Sequence, residues 1–188
     1  MAEEIKVWKR IVKPGLIFNS NIIPVFENVS GNFTATDSWG TWSIQHTADS
    51  KGSQNNVSAA FDENEGTYID TFRTGYSSTN TAYTTLTLPE GIGIFPMEIS
   101  AKISNSCGVA AYAKVEGYNP KTKSWELITN TVSVPSAATN FNFTVENTTG
   151  YYTQFRLYTH STFVQSEGRM RIYSFKINAG RIKNLYNQ

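Results

Sequence analysis

The stretch AAFDENEGTYIDT, Ala59 to Thr71, decides the reading of this chain, together with GYNPKTKSWELI, Gly117 to Ile128. The first is an acidic turn between two apolar runs. The second is a strand, a reversal at Asn119-Pro120, and a second strand opened by Trp125, which reads as a core residue. Asn and Pro reverse a chain because Asn bonds its own backbone and Pro presets φ. TQFRLYTHS (153–161) and MRIYSFKI (170–177) follow as two further strands.

Outward from these segments the apolar pattern has period two. Trp42, Ile44 and His46 alternate with Ser43, Gln45 and Thr47. Tyr83, Thr85 and Thr87 alternate with Thr84, Leu86 and Leu88, and Phe141, Phe143 and Val145 repeat the rhythm. IGIFPMEISAKIS (92–104) and VAAYAKVEGY (109–118) are also strand-like. Turn residues punctuate these runs at short intervals, and no segment sustains a 3.6-residue period. The fold class expected is all-β, an antiparallel β-sandwich of the jelly-roll kind. Trp39-Gly40-Thr41-Trp42 is read as its start, so that 39–188 form the sandwich and 1–38 an N-terminal extension or arm. Within that arm Trp8 and Arg10 are a basic aromatic pair suited to docking on a partner protein.

Composition narrows the function. Charged residues are 16% of 188, well below the roughly 25% typical of soluble domains, and Ser, Thr and Asn make up roughly a third. The net charge of +1 gives no case for nucleic acid as a partner. No apolar run is long enough for a membrane-inserted helix. Cys107 is the single cysteine and reads as a small buried hydrophobe, since neither His46 nor His160 is placed beside it by the sequence. The start MAEEIKVWKR has no apolar core of a signal peptide. A protein with extracellular character but made in a cytoplasm is expected to leave as part of a virus particle.

The order of elements resembles the discoidin-like, or coagulation-factor type C, family, with its galactose-binding-like fold shared by many carbohydrate-binding modules. The resemblance covers roughly residues 40–178. Ala60 to Tyr68 match its "A-x-D-G-N-x-x-T-x-W" turn, Val115 to Trp125 its hairpin, Tyr152 to Leu157 its arginine strand through Arg156, and Met170 to Ile177 its last strand. Glu63 stands where the family has glycine, Tyr68-Ile69 where it has tryptophan, and Ser174 where a last-strand glutamate completes a calcium site. The resemblance implies calcium at Asp62, Asn64 and Thr67, with no other cofactor. The other reading of Asp62 is that it caps its own turn.

The resemblance also implies a ligand in loops at one end of the sandwich. Those loops offer Arg73, Tyr76 and Asn80 on one side and His160 and Phe163 on the other. Aromatic rings take the apolar face of a sugar, and planar polar groups take its hydroxyls. Arg73 can equally pair with Asp70. No nucleophile elbow, phosphate loop, zinc motif or dinucleotide fingerprint is present, so no enzyme is expected. The expected function is non-enzymatic attachment of a virus particle to cell-surface glycan, as a bacteriophage tail, fibre or head decoration that forms a homo-oligomer among other virion proteins. The alternative is a structural adaptor or capping protein without a glycan ligand.

Overall fold

Alternation makes the strands. Along Ala111–Asn119 every second side chain is buried, and the same holds along Gln154–Thr162. A computed structural model describes residues 21–26, 31–48, 56–73, 79–106, 110–162 and 169–186, with only the backbone of 72, 73, 79 and 80. Eleven strands follow in order: β1 (Phe33–Asp37), β2 (Gly40–Ala48), β3 (Ile69–Arg73), β4 (Thr79–Thr87), β5 (Ile92–Asn105), β6 (Ala111–Asn119), β7 (Ser124–Leu127), β8 (Val132–Ser133), β9 (Thr139–Phe143), β10 (Gln154–Thr162) and β11 (Arg169–Asn184). One 3-10 turn, Val57–Ala60, precedes β3.

The strands form two antiparallel sheets. The larger runs β1-β2-β4-β10-β6-β7, with β8 also on β6, and the smaller runs β3-β11-β5-β9. The protein is therefore the antiparallel sandwich that the period-two pattern predicts. Its core is filled by the inward rows, among them Ile44, Leu86, Val115, Phe155 and Leu157 from one sheet and Ile99, Ile103, Ile172 and Ile177 from the other. No helix among the described residues is long and apolar enough to cross a membrane.

The domain boundary expected at residue 38 lies too late. β1 pairs residue by residue with β2, Phe33 opposite Ile44 through Asp37 opposite Gly40. Earlier still, Ile22, Ile23 and Phe26 are buried in the same core. Ile22 N–H donates to the Ile177 carbonyl at 3.2 Å and Phe26 N–H to the Phe61 carbonyl at 3.0 Å. Residues 21–26 and 33–37 thus belong to the sandwich. Burial of these three large apolar side chains outweighs the Asn21 that precedes them and the Pro24 among them, residues that suit an extended arm. Trp8, Arg10 and Cys107 lie outside the described residues.

Two buried polar devices join the sheets. His46 on β2 faces inward; its Nε2–H donates to the Thr71 carbonyl of β3 at 3.0 Å, and its Nδ1 accepts from Thr84 Oγ1 on β4 at 2.9 Å. Thr71 Oγ1 in turn donates to the Met170 carbonyl of β11. Burial lowers the His46 pKa below 6.5, and the Thr71 bond offsets this only in part. The second device is Tyr152, wholly buried, whose backbone exchanges both hydrogen bonds with Ile94. Its ring lies over Gly117, where an added Cβ would come within 2.6 Å of it. Its hydroxyl donates to Glu126 Oε2 at 2.9 Å and accepts from Thr149 N–H at 3.0 Å.

Gly117→Ala is expected to destabilise the fold by about 1–3 kcal/mol, because the methyl must displace a wholly buried ring. Denaturant melts measure this, and an unchanged midpoint would show that the ring can shift. For His46, the unfolded chain takes up its proton at about pH 6.5, whereas the folded chain resists. Its contribution is complete above that pH and is lost as pH falls below it. Melting temperature is expected to fall between about pH 7 and 5, and His46→Gln to flatten that part of the profile. A slope unchanged in the variant would exclude His46 as its source.

Candidate functional site

β10 lies at the middle of the larger sheet, between β4 and β6. Since Phe155, Leu157, Thr159 and Ser161 are buried, Arg156, Tyr158 and His160 face out. The register sets Arg156 beside Glu116 and Thr85, Tyr158 beside Lys114 and Tyr83, and His160 beside Tyr112 and Thr81. Tyr118 of β6 stands opposite Trp125 of β7. The outer face from β4 to β7 is therefore a field of rings and charges about 14 Å across three strand spacings.

The rings touch. Tyr112 stacks on His160 with centroids 4.4 Å apart and planes 24° from parallel. Tyr158 meets Tyr83 edge-to-face at 5.2 Å, and Tyr118 meets Trp125 at 5.5 Å. The Arg156 guanidinium carbon lies 4.5 Å from the Tyr83 ring and 4.1 Å from the Trp125 ring. Lys114 Nζ lies 4.9 Å from the Tyr158 ring. Such rings are positioned by one another and by the cations, each contact contributing about 0.5–1.5 kcal/mol.

Glu116 is the anchor of this face. Its Oε2 accepts from Arg156 Nε and Nη2, both at 2.6 Å, and its Oε1 faces Lys114 Nζ at 3.0 Å. Burial alone would push the Glu116 carboxyl up, but the bonds and charges of Lys114 and Arg156 hold it below the usual carboxylate range. Tyr158 moves the other way: burial, then the neighbouring Tyr112, Tyr83 and Glu116, push its hydroxyl above the ordinary tyrosine value. It stays a neutral hydrogen-bonding group. Two cations on one carboxylate leave the field slightly positive.

The same sheet supplies its own contrast. Beyond β4, the outward positions Ser43, Gln45 and Thr47 on β2 carry no ring and no charge. A sheet face needs only such residues to meet water. The aromatic half is thus a local feature of β4, β10, β6 and β7.

Of the loop residues expected to bind ligand, the structure brings His160 into this field, on strand β10 rather than in a loop. Asn80 and Arg73 are strand residues, paired through the backbone with Ser161 and Arg169. Tyr76 and Phe163 lie outside the described residues. Asp70 is engaged by Arg171 at 3.0 Å and Arg169 at 3.7 Å, while the Arg73 side chain lies outside the described residues. Trp42 is core, as read, but Trp125 is on the outer face beneath Arg156, because β7 turns its alternate side away from the core. Tyr83, Tyr112 and Tyr158 are the residues that loop-centred reasoning passed over. Their signal was present as alternation, with the tyrosines on the phase opposite to the apolar core row.

The acidic turn closes on itself. Asp62 Oδ1 accepts from Asn64 N–H at 2.9 Å and Oδ2 from Thr67 Oγ1 at 2.6 Å; Asn64 Oδ1 accepts from Gly66 N–H at 3.0 Å. Glu65 is paired with Lys102 Nζ at 2.6 Å, and Ser174 Oγ accepts from Lys102 N–H. Glu63, where the family has glycine, holds a left-handed φ of 57°. Calcium requires six to eight oxygens turned to one point. Here Asp62 and Asn64 accept from the turn's own donors and Thr67 Oγ1 donates to Asp62, the self-capping arrangement, and no group of three His, Cys, Asp or Glu side chains that could hold a metal ion occurs among the described residues.

No family model matches the chain, and no curated protein sequence does. Solved structures do. The C-terminal domain of a chitobiase from Bacteroides fragilis is 11% identical with a TM-score of 0.49, over 78% of this chain and 97% of that one. Chitosan-binding module 2 from a Paenibacillus sp. IK-5 chitosanase/glucanase, in complex with chitotriose, is 15% identical with a TM-score of 0.42, over 71% and 95%. The enzymatically active domain of bacteriophage CBA120 tailspike protein 4 is 13% identical with a TM-score of 0.33, over 68% of this chain and 21% of that one.

Melting temperature is expected to be the same, within about 1 °C, in excess Ca2+ and in EDTA. Asp62→Ala is expected to cost about 1 kcal/mol in both, through loss of the turn bonds. A calcium-dependent rise abolished by Asp62→Ala would restore the ion to the turn.

Proposed function

We propose that this protein is a non-catalytic glycan-binding module whose ligand lies across the outer face of the larger sheet. The observation that carries the reading is the cross-strand field of Tyr83, Tyr112, Tyr158 and His160 around the Glu116–Arg156–Lys114 cluster. Rings that lie at the surface offer flat apolar area to the C–H faces of sugar rings. Arg156 is held between the Tyr83 and Trp125 rings, so its polar edge is in place before a ligand arrives. Tyrosine hydroxyls and Lys114 supply donors for sugar hydroxyls. None of these groups forms the opposed pair of carboxylates that glycoside cleavage requires, since Glu116 is neutralised by two cations.

The setting belongs to the same proposal. A shallow face binds each chain weakly, and display in repeated copies on a virus particle would multiply that affinity by avidity. The low charge content and Ser/Thr/Asn richness suit an exposed surface of that kind. The partners would then be the other virion proteins and the glycan of a cell surface, in a homo-oligomeric arrangement.

The test is a glycan array probed with the protein clustered on a multivalent carrier, followed by titration of the best ligand. Tyr158→Ala is expected to weaken that binding at least about tenfold, or about 1.4 kcal/mol, in protein that stays folded at the assay temperature although the lost ring contacts lower its melting temperature. Thr47→Ala on β2 is expected to change nothing. Failure of the clustered protein to bind any glycan would overturn the reading in favour of the structural adaptor. Mass spectrometry of purified particles checks the setting, and absence of the protein from them would remove the virion part alone.

A further inference from the structure

Tyr151 and Tyr152 are neighbours with opposite fates. Tyr152 enters the core, so Tyr151 faces out, beside the bridge that the segment before β10 makes with Ile94 of β5. A cleft opens on each side of it. One, about 520 Å3, has Phe95, Met97 and Arg181 as its walls; the other, about 540 Å3, has Pro120, Lys121 and Lys183. Gly150 and Tyr151 line both.

Irregular backbone shapes the first cleft. Pro96 cannot donate to the ladder, and the register of β11 against β5 shifts around Ala179. Gly180, within that irregularity, lies against Met97: an added Cβ would come within 3.3 Å of the Met97 Cβ. The second cleft leans on the β6–β7 reversal, where Asn119 Oδ1 accepts from Lys121 N–H at 2.9 Å.

Charge identifies the occupant. Among the described residues no carboxylate lies within ion-pair distance of Lys121, Arg181 or Lys183. Glu98 and Glu126 turn their carboxylates to neutral donors instead, Glu98 to Asn178 at 2.9 Å and Glu126 to Asn119, Thr149 and Tyr152. Lys183 lies 5.8 Å from the Tyr151 ring, and Phe95 meets that ring at 6.3 Å. The result is a ring between two recesses, with apolar walls and three cations outside any ion pair among the described residues, Arg181 and Lys183 on β11 and Lys121 in the β6–β7 turn. A single-stranded nucleic acid is held by several stacking rings along a basic groove. One ring astride two recesses fits instead a sugar chain that places one unit on each side.

We propose that these paired clefts form a second binding site, separate from the outer sheet face, for a glycan chain bearing carboxylates. Apolar walls would take the C–H faces of two adjacent sugars, and Arg181, Lys183 and Lys121 their carboxylates.

The test uses the full chain and three probes: polygalacturonate, the same polymer fully methyl-esterified, and a single-stranded oligodeoxynucleotide. Affinity electrophoresis is expected to show retardation by the acid and at least tenfold weaker binding of the ester. An added Cβ at Gly150 meets no atom within 4 Å, so Gly150→Phe fills the entrance of both clefts without disturbing the core. That variant, and the double variant Arg181→Ala/Lys183→Ala, are expected to lose at least tenfold towards the acid with unchanged melting. Tyr158→Ala is expected to retain it. Equal binding of acid and ester, equal binding of the oligonucleotide, or full binding by Gly150→Phe would overturn the site. Loss in Tyr158→Ala with retention in Gly150→Phe would place the acidic chain on the sheet face, overturning this site and leaving the other reading standing.

Discussion

Everything on this molecule follows from the face that each strand turns to the core, and β10 shows the constraint at its tightest. Phe155 and Leu157 are wholly buried, and each is worth about 1.5–3 kcal/mol when removed from water. A slip of one residue would bury Arg156, Tyr158 and His160 and expose those two side chains. The penalty of burying a guanidinium away from Glu116 exceeds anything gained by the tyrosines. The same burial that holds the sandwich together therefore fixes the identity of the outer face. That face is not added to the fold; it is the complement of the core pattern.

Glu116 makes this complement durable. A surface of tyrosines and cations alone would repel and spread. One carboxylate held between Arg156 and Lys114 gathers both cations, and the rings pack around them. The cost of partly burying that carboxylate is offset by two charge-assisted contacts, which is why its pKa falls despite the burial. Stability and recognition are served by the same atoms here, since the cross-strand pairs that pin the register also present the rings.

The strand pattern was legible in the chain because period two survives even in a sequence rich in Thr and Asn. The placement of Tyr83, Tyr112 and Tyr158 together was not, because β4, β10 and β6 are neighbours in space while far apart in the chain. Sequence order sets β10 beside β11, yet these strands lie in different sheets. Trp125 misled for a related reason: at the sheet edge a tryptophan can be half-covered by an arginine instead of by the core. β1, with only Phe33 and Ala35 as apolar residues, carried too little signal to be told from an extension. In the acidic turn, the types that bind calcium elsewhere are also the types that cap turns, and only the hydrogen bonds separate the two.

Adjacent tyrosines at 151 and 152 show how one scaffold supports two surfaces without conflict. Tyr152 is held by its bridge to Ile94, by the missing side chain at Gly117 and by the Glu126 carboxylate. Those restraints fix the backbone so firmly that Tyr151 has one direction left, outward between the clefts. Glu126 is thereby drawn into a structural bond, with Thr149 holding its carboxyl below the usual range. Its oxygens turn to Asn119, Thr149 and Tyr152, and it makes no ion pair with Lys121 across the same reversal. The way the core tyrosine is satisfied thus leaves Lys121 outside an ion pair at the mouth of the cleft.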